Sequence, residues 1–217
     1  MKKRINHILI ALAGILTVSC NAWLDVTPDN AIADDDLFST GFGYRNALNG
    51  IYTNLASDEL YGKQLSWGFL SAISQQYNQK VGTISPMYAD ASELIYNTVD
   101  TEPVVTAIWE KGYKVIANLN KLIENILPTD ISLFEYGEEE KKLIYAEALS
   151  LRAMMHFDLL RLFAPAPATN PSGTYLPYRD KYEAAVIEKS TVTDFIDKCT
   201  NLLPNGIPVT ASIPVPI

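Results

Sequence analysis

Cysteine and histidine are scarce in this 217-residue chain, two of each: Cys20 and Cys199, His7 and His156. That argues against a disulfide framework, a zinc site and a histidine-based triad. Basic residues are also in short supply, 17 against 25 acidic ones, for a formal charge of −8. A surface of that sign repels phosphate backbones and anionic headgroups, which argues against nucleic-acid binding and polybasic membrane adhesion. Long apolar runs are missing as well. The run from Ile8 to Val18 has eleven apolar or small residues, where a spanning helix needs about 20. Strand-like alternation is weak throughout. The remaining composition, 48% hydrophobic and 19% charged, is that of an ordinary globular protein.

The N-terminus carries Met1-Lys2-Lys3-Arg4, the apolar run and then Ser19-Cys20. A basic stub followed by an apolar stretch of this length is the pattern of a secretory signal peptide. Its end, Thr17-Val18-Ser19-Cys20, resembles the lipobox of bacterial lipoproteins, although Thr17 stands where leucine is commonest. Residues 1–19 are therefore expected to be a removed leader and Cys20 the lipid-attachment residue. Removal leaves 14 basic against 25 acidic residues, and an acylated Cys20 holds the chain on a membrane.

After the leader, residues 20–38 read as an extended tether, with Asp34, Asp35 and Asp36 as helix-entry acids or a solvated turn. They lack the alternating ligands of a calcium loop. The spacing of Tyr44, Leu48, Ile51 and Leu55 predicts a helix over about 40–57. Leu65, Phe69 and Ile73 continue that period in a shorter helix, and 77–100 reads as a long loop with at most one short element. Thr101-Glu102-Pro103 opens the clearest helix, with Thr101 as its capping residue, and Pro128 stops it. A second long helix starts at Glu138-Glu139-Glu140, acids suited to the positive end of the helix dipole, and ends before Ala164-Pro165. After a loop over 165–181, Thr191-x-x-Asp194 starts a last helix that buries Val192, Phe195, Ile196, Cys199, Leu202 and Leu203. The expected fold is all-α, tetratricopeptide-like stacked helix hairpins with long irregular loops; Ala153-x-x-x-Phe157 matches a fragment of that repeat's signature.

Four segments converge on one family. Cys20-Asn21-Ala22-Trp23-Leu24-Asp25-Val26-Thr27-Pro28 resembles the opening of SusD-like (RagB/SusD) outer-membrane lipoproteins of Bacteroidetes. Ile108-Trp109 through Tyr113 and Ile116 to Asn120 is similar to a helix of that family, as is Ser190-Thr191-Val192 through Leu203-Pro204. The closest likeness is Ala146-Glu147-Ala148 through Leu151-Arg152-Ala153 to Phe163, with Ala164 in place of the usual glycine. The resemblance covers residues 39–204 as the family's N-terminal helical domain, only part of a family whose members are usually more than twice as long. Residues 205–217 fit no segment of it and read as a truncation or frame artefact.

The resemblance implies a cell-surface, lipid-anchored outer-membrane protein that holds an oligomeric nutrient, most often a glycan, beside a TonB-dependent transporter. It implies no catalysis and no cofactor. Sugar binding needs aromatic faces for pyranose rings together with amides and carboxylates for hydroxyls. Trp67, Tyr77, Asn78 and Tyr88 are the candidate ligand residues, against the plainer reading that such rings pack the loop onto the helices. Phe69, on the apolar stripe, is assigned to the core, His156 to packing, and Arg152 to a tie between helices. No metal site and no catalytic residue is marked. The alternatives are a helical scaffold that binds protein only and lacks its own ligand site, and a hydrolase, for which no carboxylate pair stands out.

Overall fold

The computed structural model describes residues 34–76 and 85–201. Their elements are α1 (Asp34–Leu37), α2 (Gly41–Leu55), α3 (Phe69–Ile73), α4 (Pro86–Ser92), α5 (Glu102–Ile126), a 3-10 turn (Ile131–Leu133), α6 (Gly137–Phe163), β1 (Thr174–Pro177), β2 (Lys189–Thr191) and α7 (Val192–Thr200). The chain is thus mainly helical, and its long helices stand where the apolar period placed them.

Side-chain pairs give the helix directions. The Tyr44 hydroxyl, at the start of α2, donates to the Asn125 carbonyl at the end of α5 (3.0 Å), so α2 and α5 are antiparallel. On α5 and α6, Gly112 faces Leu159 and Asn120 bonds Arg152, so that pair is antiparallel too. Between α2 and α6 the contacts are Arg45 with Glu140 (2.9 Å) and Tyr52 with Glu147. Both steps are two helical turns in the same sense, which makes these helices parallel. The result is an up-down-up stack. Ile108, Ile116 and Leu119 of α5, Ile144, Met155 and Leu159 of α6, and Leu48 and Ile51 of α2 form its buried core. Gly112 sets how closely α5 and α6 approach: a Cβ there would stand 3.0 Å from Leu159 Cδ2.

A segment over 177–182 lies across α5 and α6 and is held by side chains gripping its backbone. Tyr113 OH donates to the Pro177 carbonyl (2.9 Å). Asn120 Nδ2 donates to the carbonyls of Arg179 (3.0 Å) and Lys181 (3.2 Å), and Glu124 accepts from Tyr182 N–H (2.7 Å). From α6, Arg152 Nη1 reaches Asn120 Oδ1 (2.8 Å) and the Asp180 carbonyl (3.1 Å). His156, fully buried, accepts from Arg179 N–H at Nε2 (3.2 Å). Its proton therefore sits on Nδ1, which donates to the Arg152 carbonyl (2.9 Å). The ring stacks on Tyr178 at 4.1 Å and meets Phe195 edge-on. Arg152 is thus a tie between helices, and His156 a packed core residue.

Several expectations are corrected. The tether ends in a helical turn, α1, and Phe38 packs on Tyr44 at 5.0 Å. The shorter helix expected from Leu65 starts only at Phe69, and 56–68 is a run of tight turns, because Gly68 takes φ −90°, ψ −116° and Gly62 meets backbone carbonyls where a Cβ would sit. Thr101 has helical φ and ψ, so its hydroxyl turns back to Thr98 (3.0 Å) instead of capping α5. Glu140 is no solvated helix-start charge: it is buried and clamps α6 to Arg45. Burial raises its pKa, but Tyr136 N–H and Arg45 outweigh that and hold it below the ordinary value. A two-stranded antiparallel sheet, Thr174 opposite Thr191 and Pro177 opposite Lys189, occupies part of the predicted loop; strands this short carry no readable alternation. Thr191 does cap α7, accepting from Asp194 N–H (3.1 Å). Val192 and Phe195 are buried, Ile196 and Cys199 half-buried, and Leu202 and Leu203 lie outside the described residues.

Burial lowers the His156 pKa from 6.5 to about 3, the Arg152 carbonyl opposing and the Arg152 charge adding to the shift. The stability that depends on neutral His156 is complete above about pH 6.5 and is lost as pH falls toward 3. The slope is about 1.4 kcal/mol per pH unit. Urea unfolding at pH 6.5 and pH 5.0 is expected to show a drop about 2 kcal/mol smaller for His156→Gln than for the parent chain. Glycine substitutions test the packing: Gly112→Val is expected to cost about 1–3 kcal/mol by overpacking. Gly50→Ala, whose Cβ meets nothing within 4 Å, is expected to gain about 0.5–1 kcal/mol, both read by thermal melts.

Candidate functional site

The N-terminal end of α5 and the turns over 56–68 enclose an open groove of about 220 Å³. Asp58, Glu59, Lys63 and Gln64 supply its polar wall, and Pro103, Val104 and Ala107 from α5 its apolar one. The turns stay in place because they are internally bonded: Leu65 N–H reaches the Leu60 carbonyl (2.8 Å) and Gly68 N–H the Lys63 carbonyl (2.7 Å). Leu60 and Leu65 are buried beneath them. Gln64 Oε1 accepts from Phe69 N–H (3.0 Å), which orients its amide. The Glu59 carboxyl is held below the ordinary value, chiefly by its own backbone N–H, with Lys111 adding to the effect.

Trp67 stands beside this groove, 56% exposed, with Lys63 Nζ 5.7 Å from its ring centre. An exposed indole next to carboxylates, an ammonium and an amide offers what a hydroxyl-rich ligand needs, a flat apolar face and hydrogen-bonding groups around it. Tyr88, on α4, is half-buried and packs against the core. Its hydroxyl is enclosed without a hydrogen-bond partner among the described residues, and it does not line the groove. Tyr77, Asn78 and Cys20 lie outside the described residues.

Other neighbours are structural. Phe69 is buried. Tyr61 donates to Asp158, which also pairs with Arg161, and burial with the Asp158 hydrogen bond drives the Tyr61 pKa far up. Trp109 packs edge-on against Phe163 at 4.9 Å. Burial lifts the Cys199 thiol to about 11. Among the described residues, no three His, Cys, Asp or Glu side chains stand close enough to share a metal ion. The groove-lining Asp58, Glu59, Lys63 and Gln64 were not singled out from the sequence. The signal available was Lys63 and Gln64 between two turn glycines, Gly62 and Gly68, in a stretch ending at a tryptophan; Asp58 and Glu59 lie ahead of it.

Comparison with known proteins agrees with this architecture. Residues 22–211 match a SusD-like family described as starch-binding and associating with the outer membrane, a span that takes in the first residues of the 205–217 segment. SusD-like protein P2 of Formosa agariphila is 24% identical over 168 residues, 77% of this chain and 31% of that protein. SusD-like protein P38 of the same organism is 27% identical over 164 residues, 75% and 29% respectively. The chain spans about a third of the length of the curated relatives it matches. Among solved structures, a SusD superfamily protein from Bacteroides thetaiotaomicron superposes with TM-score 0.59 at 22% identity, over 75% of this chain and 36% of the other. A SusD-like carbohydrate-binding protein from Bacteroides vulgatus gives 0.53 at 18% identity, over 79% and 37%. The helix order agrees with the family's fold, and the family match runs from residue 22 through every described helix: the chain belongs to the SusD-like family.

Proposed function

We propose that this protein is a non-enzymatic lipoprotein of the outer membrane that binds an oligomeric nutrient, a starch-like or other glycan. It delivers the nutrient to a TonB-dependent transporter. In this reading residues 1–19 are removed, Cys20 carries the lipid, 20–38 tether the helical domain of 39–204, and the protein faces the cell exterior. The observation that carries it is the exposed Trp67 beside the polar groove at the α5 N-terminus, in a chain whose family is described as starch-binding. Trp67 is the ligand-stacking residue proposed first. Tyr77 and Asn78, which come after α3 in the sequence, are proposed with it. Tyr88, half-buried on α4 and away from the groove, is kept as a ligand residue proposed from the sequence alone. The part of those relatives that the chain matches is about a third of their length.

Affinity electrophoresis of the full chain through gels containing soluble starch or another polysaccharide tests this. Retardation by at least one glycan is expected, and Trp67→Ala is expected to weaken it about tenfold, or about 1.4 kcal/mol. Retention of the transporter with no retardation on any glycan would instead support the scaffold reading. Release of reducing ends from a polysaccharide would support a hydrolase.

A further inference from the structure

The groove beside Trp67 has a charge pattern of its own. On its polar wall the carboxylates of Asp58 and Glu59 stand against one ammonium, that of Lys63. The Glu59 carboxyl is ionised at neutral pH, since its own backbone N–H, a Ser57 hydrogen bond and Lys111 all favour the charged form. Both nearby cations already face groups of the protein. Lys111 acts on Glu59, and the Lys63 ammonium lies 5.7 Å from the indole centre. Asp100 and Glu102, exposed residues just ahead of Pro103 in the apolar wall, add further negative charge.

A helix start would ordinarily offset this, because its free N–H groups and positive dipole end attract anions. At α5 little of that attraction is left. Thr101 N–H donates to the Thr98 hydroxyl (3.2 Å) and Glu102 N–H to the Thr98 carbonyl (3.0 Å). Pro103, which lines the groove, has no N–H to offer, and Val105 N–H closes the first turn on the Thr101 carbonyl (3.0 Å). Glu102 stands in that first turn, where its charge opposes the positive end.

We infer that this groove takes uncharged sugar chains and turns away glycans that carry carboxylate or sulfate, with Asp58 and Glu59 as the residues that set the selection. The inference rests on the glycan reading above and narrows it to one charge class. Neutral sugars suit this wall because a carboxylate accepts hydrogen bonds from neighbouring hydroxyls, while Trp67 offers its face to the C–H side of a pyranose ring. An acid group on the sugar meets the carboxylates where a hydroxyl would have donated, and it has no proton to give. Repulsion then replaces a hydrogen bond. The charges are exposed, so the Coulombic part fades as salt screens it. The formal charge of −8 on the whole chain acts in the same sense on every acidic polysaccharide, and a variant remote from the groove separates the two effects.

Two measurements on the full chain test this. In affinity electrophoresis at about 20 mM salt, soluble starch and a soluble β-glucan are each compared with their carboxymethyl derivatives, which keep the backbone and add charge. Retardation by the neutral form is expected to exceed that by the derivative at least about tenfold, and Asp58→Asn/Glu59→Gln to shrink the ratio to about threefold or less. Glu102→Gln, outside the turns, is expected to shrink it by a smaller factor, and Glu135→Gln/Glu139→Gln, beside the start of α6, to leave it unchanged. Iodide and caesium quenching of Trp67 fluorescence reads the field at the ring with no glycan present. It is taken as the difference between the parent and Trp67→Phe, because Trp23 and Trp109 also emit. Asp58→Asn/Glu59→Gln is expected to raise iodide quenching about twofold and to lower caesium quenching. Equal or stronger retardation by the carboxymethyl forms, a ratio that the groove and remote variants move alike, or iodide quenching unchanged in the groove variant would overturn the inference. No retardation by any of these polysaccharides would overturn glycan capture itself and this narrowing with it, a result distinct from retention without discrimination.

Discussion

A guanidinium is buried between two helices with only neutral oxygens to hold it. Arg152 is 6% exposed and forms no ion pair among the described residues. Its hydrogen bonds go to the Asn120 amide oxygen and the Asp180 carbonyl, and its Nε has no hydrogen-bond partner among the described residues. Moving such a charge out of water costs several kcal/mol even after relaxation, so the surroundings must return most of it in hydrogen bonds. That requirement fixes three things together: the facing of α5 and α6, the amide orientation of Asn120, and the path of 177–182, whose carbonyls are the available acceptors. Replacing Arg152 by lysine would not meet it, because a point-charge ammonium lacks the planar fork that addresses two acceptors at once.

The tie also governs the histidine beside it. Burial is the main reason that His156 does not take a second proton, and the positive charge of Arg152 adds to it. The imidazole therefore stays neutral, and neutrality frees Nε2 to accept the Arg179 N–H. The 177–182 segment, the α7 aromatic contact through Phe195 and the two long helices are consequently one packed unit. The turns over 56–68 stand outside it. They are held by local backbone bonds and two buried leucines, an arrangement suited to a surface that meets a ligand.

What the sequence displayed followed from how each interaction is encoded. The long helices were legible because an apolar face repeated every 3.6 residues needs no partner to be recognised. Phe69, Arg152 and His156 could be assigned to structure because they sit on or beside such a face. The Thr191 cap was legible because hydroxyl and acceptor lie three residues apart. Glu140 was not, since its partner Arg45 is far off in sequence and two of its neighbours are ordinary surface acids. Thr101 misled for the opposite reason: the right residue at the right position adopted helical φ and ψ. The 177–182 segment was invisible because its contribution is backbone carbonyl, which no side-chain pattern announces. At the groove the aromatic was visible and the polar wall was not, as exposed acids and amides are common on any surface.

The family likeness persists at roughly a quarter identity for a related physical reason. Apolar core positions accept many volume-conserving exchanges, so an up-down-up stack survives wide drift of its leucines and isoleucines. Positions that satisfy a buried polar group are far less exchangeable, because one missing partner leaves a desolvated donor or acceptor. Asn120 closes one of the family-like segments and Arg152 lies in another, and in the fold these two residues bond to each other. Segments that look independent along the chain are therefore two halves of one contact. Their joint presence argues for the fold more strongly than either motif does alone.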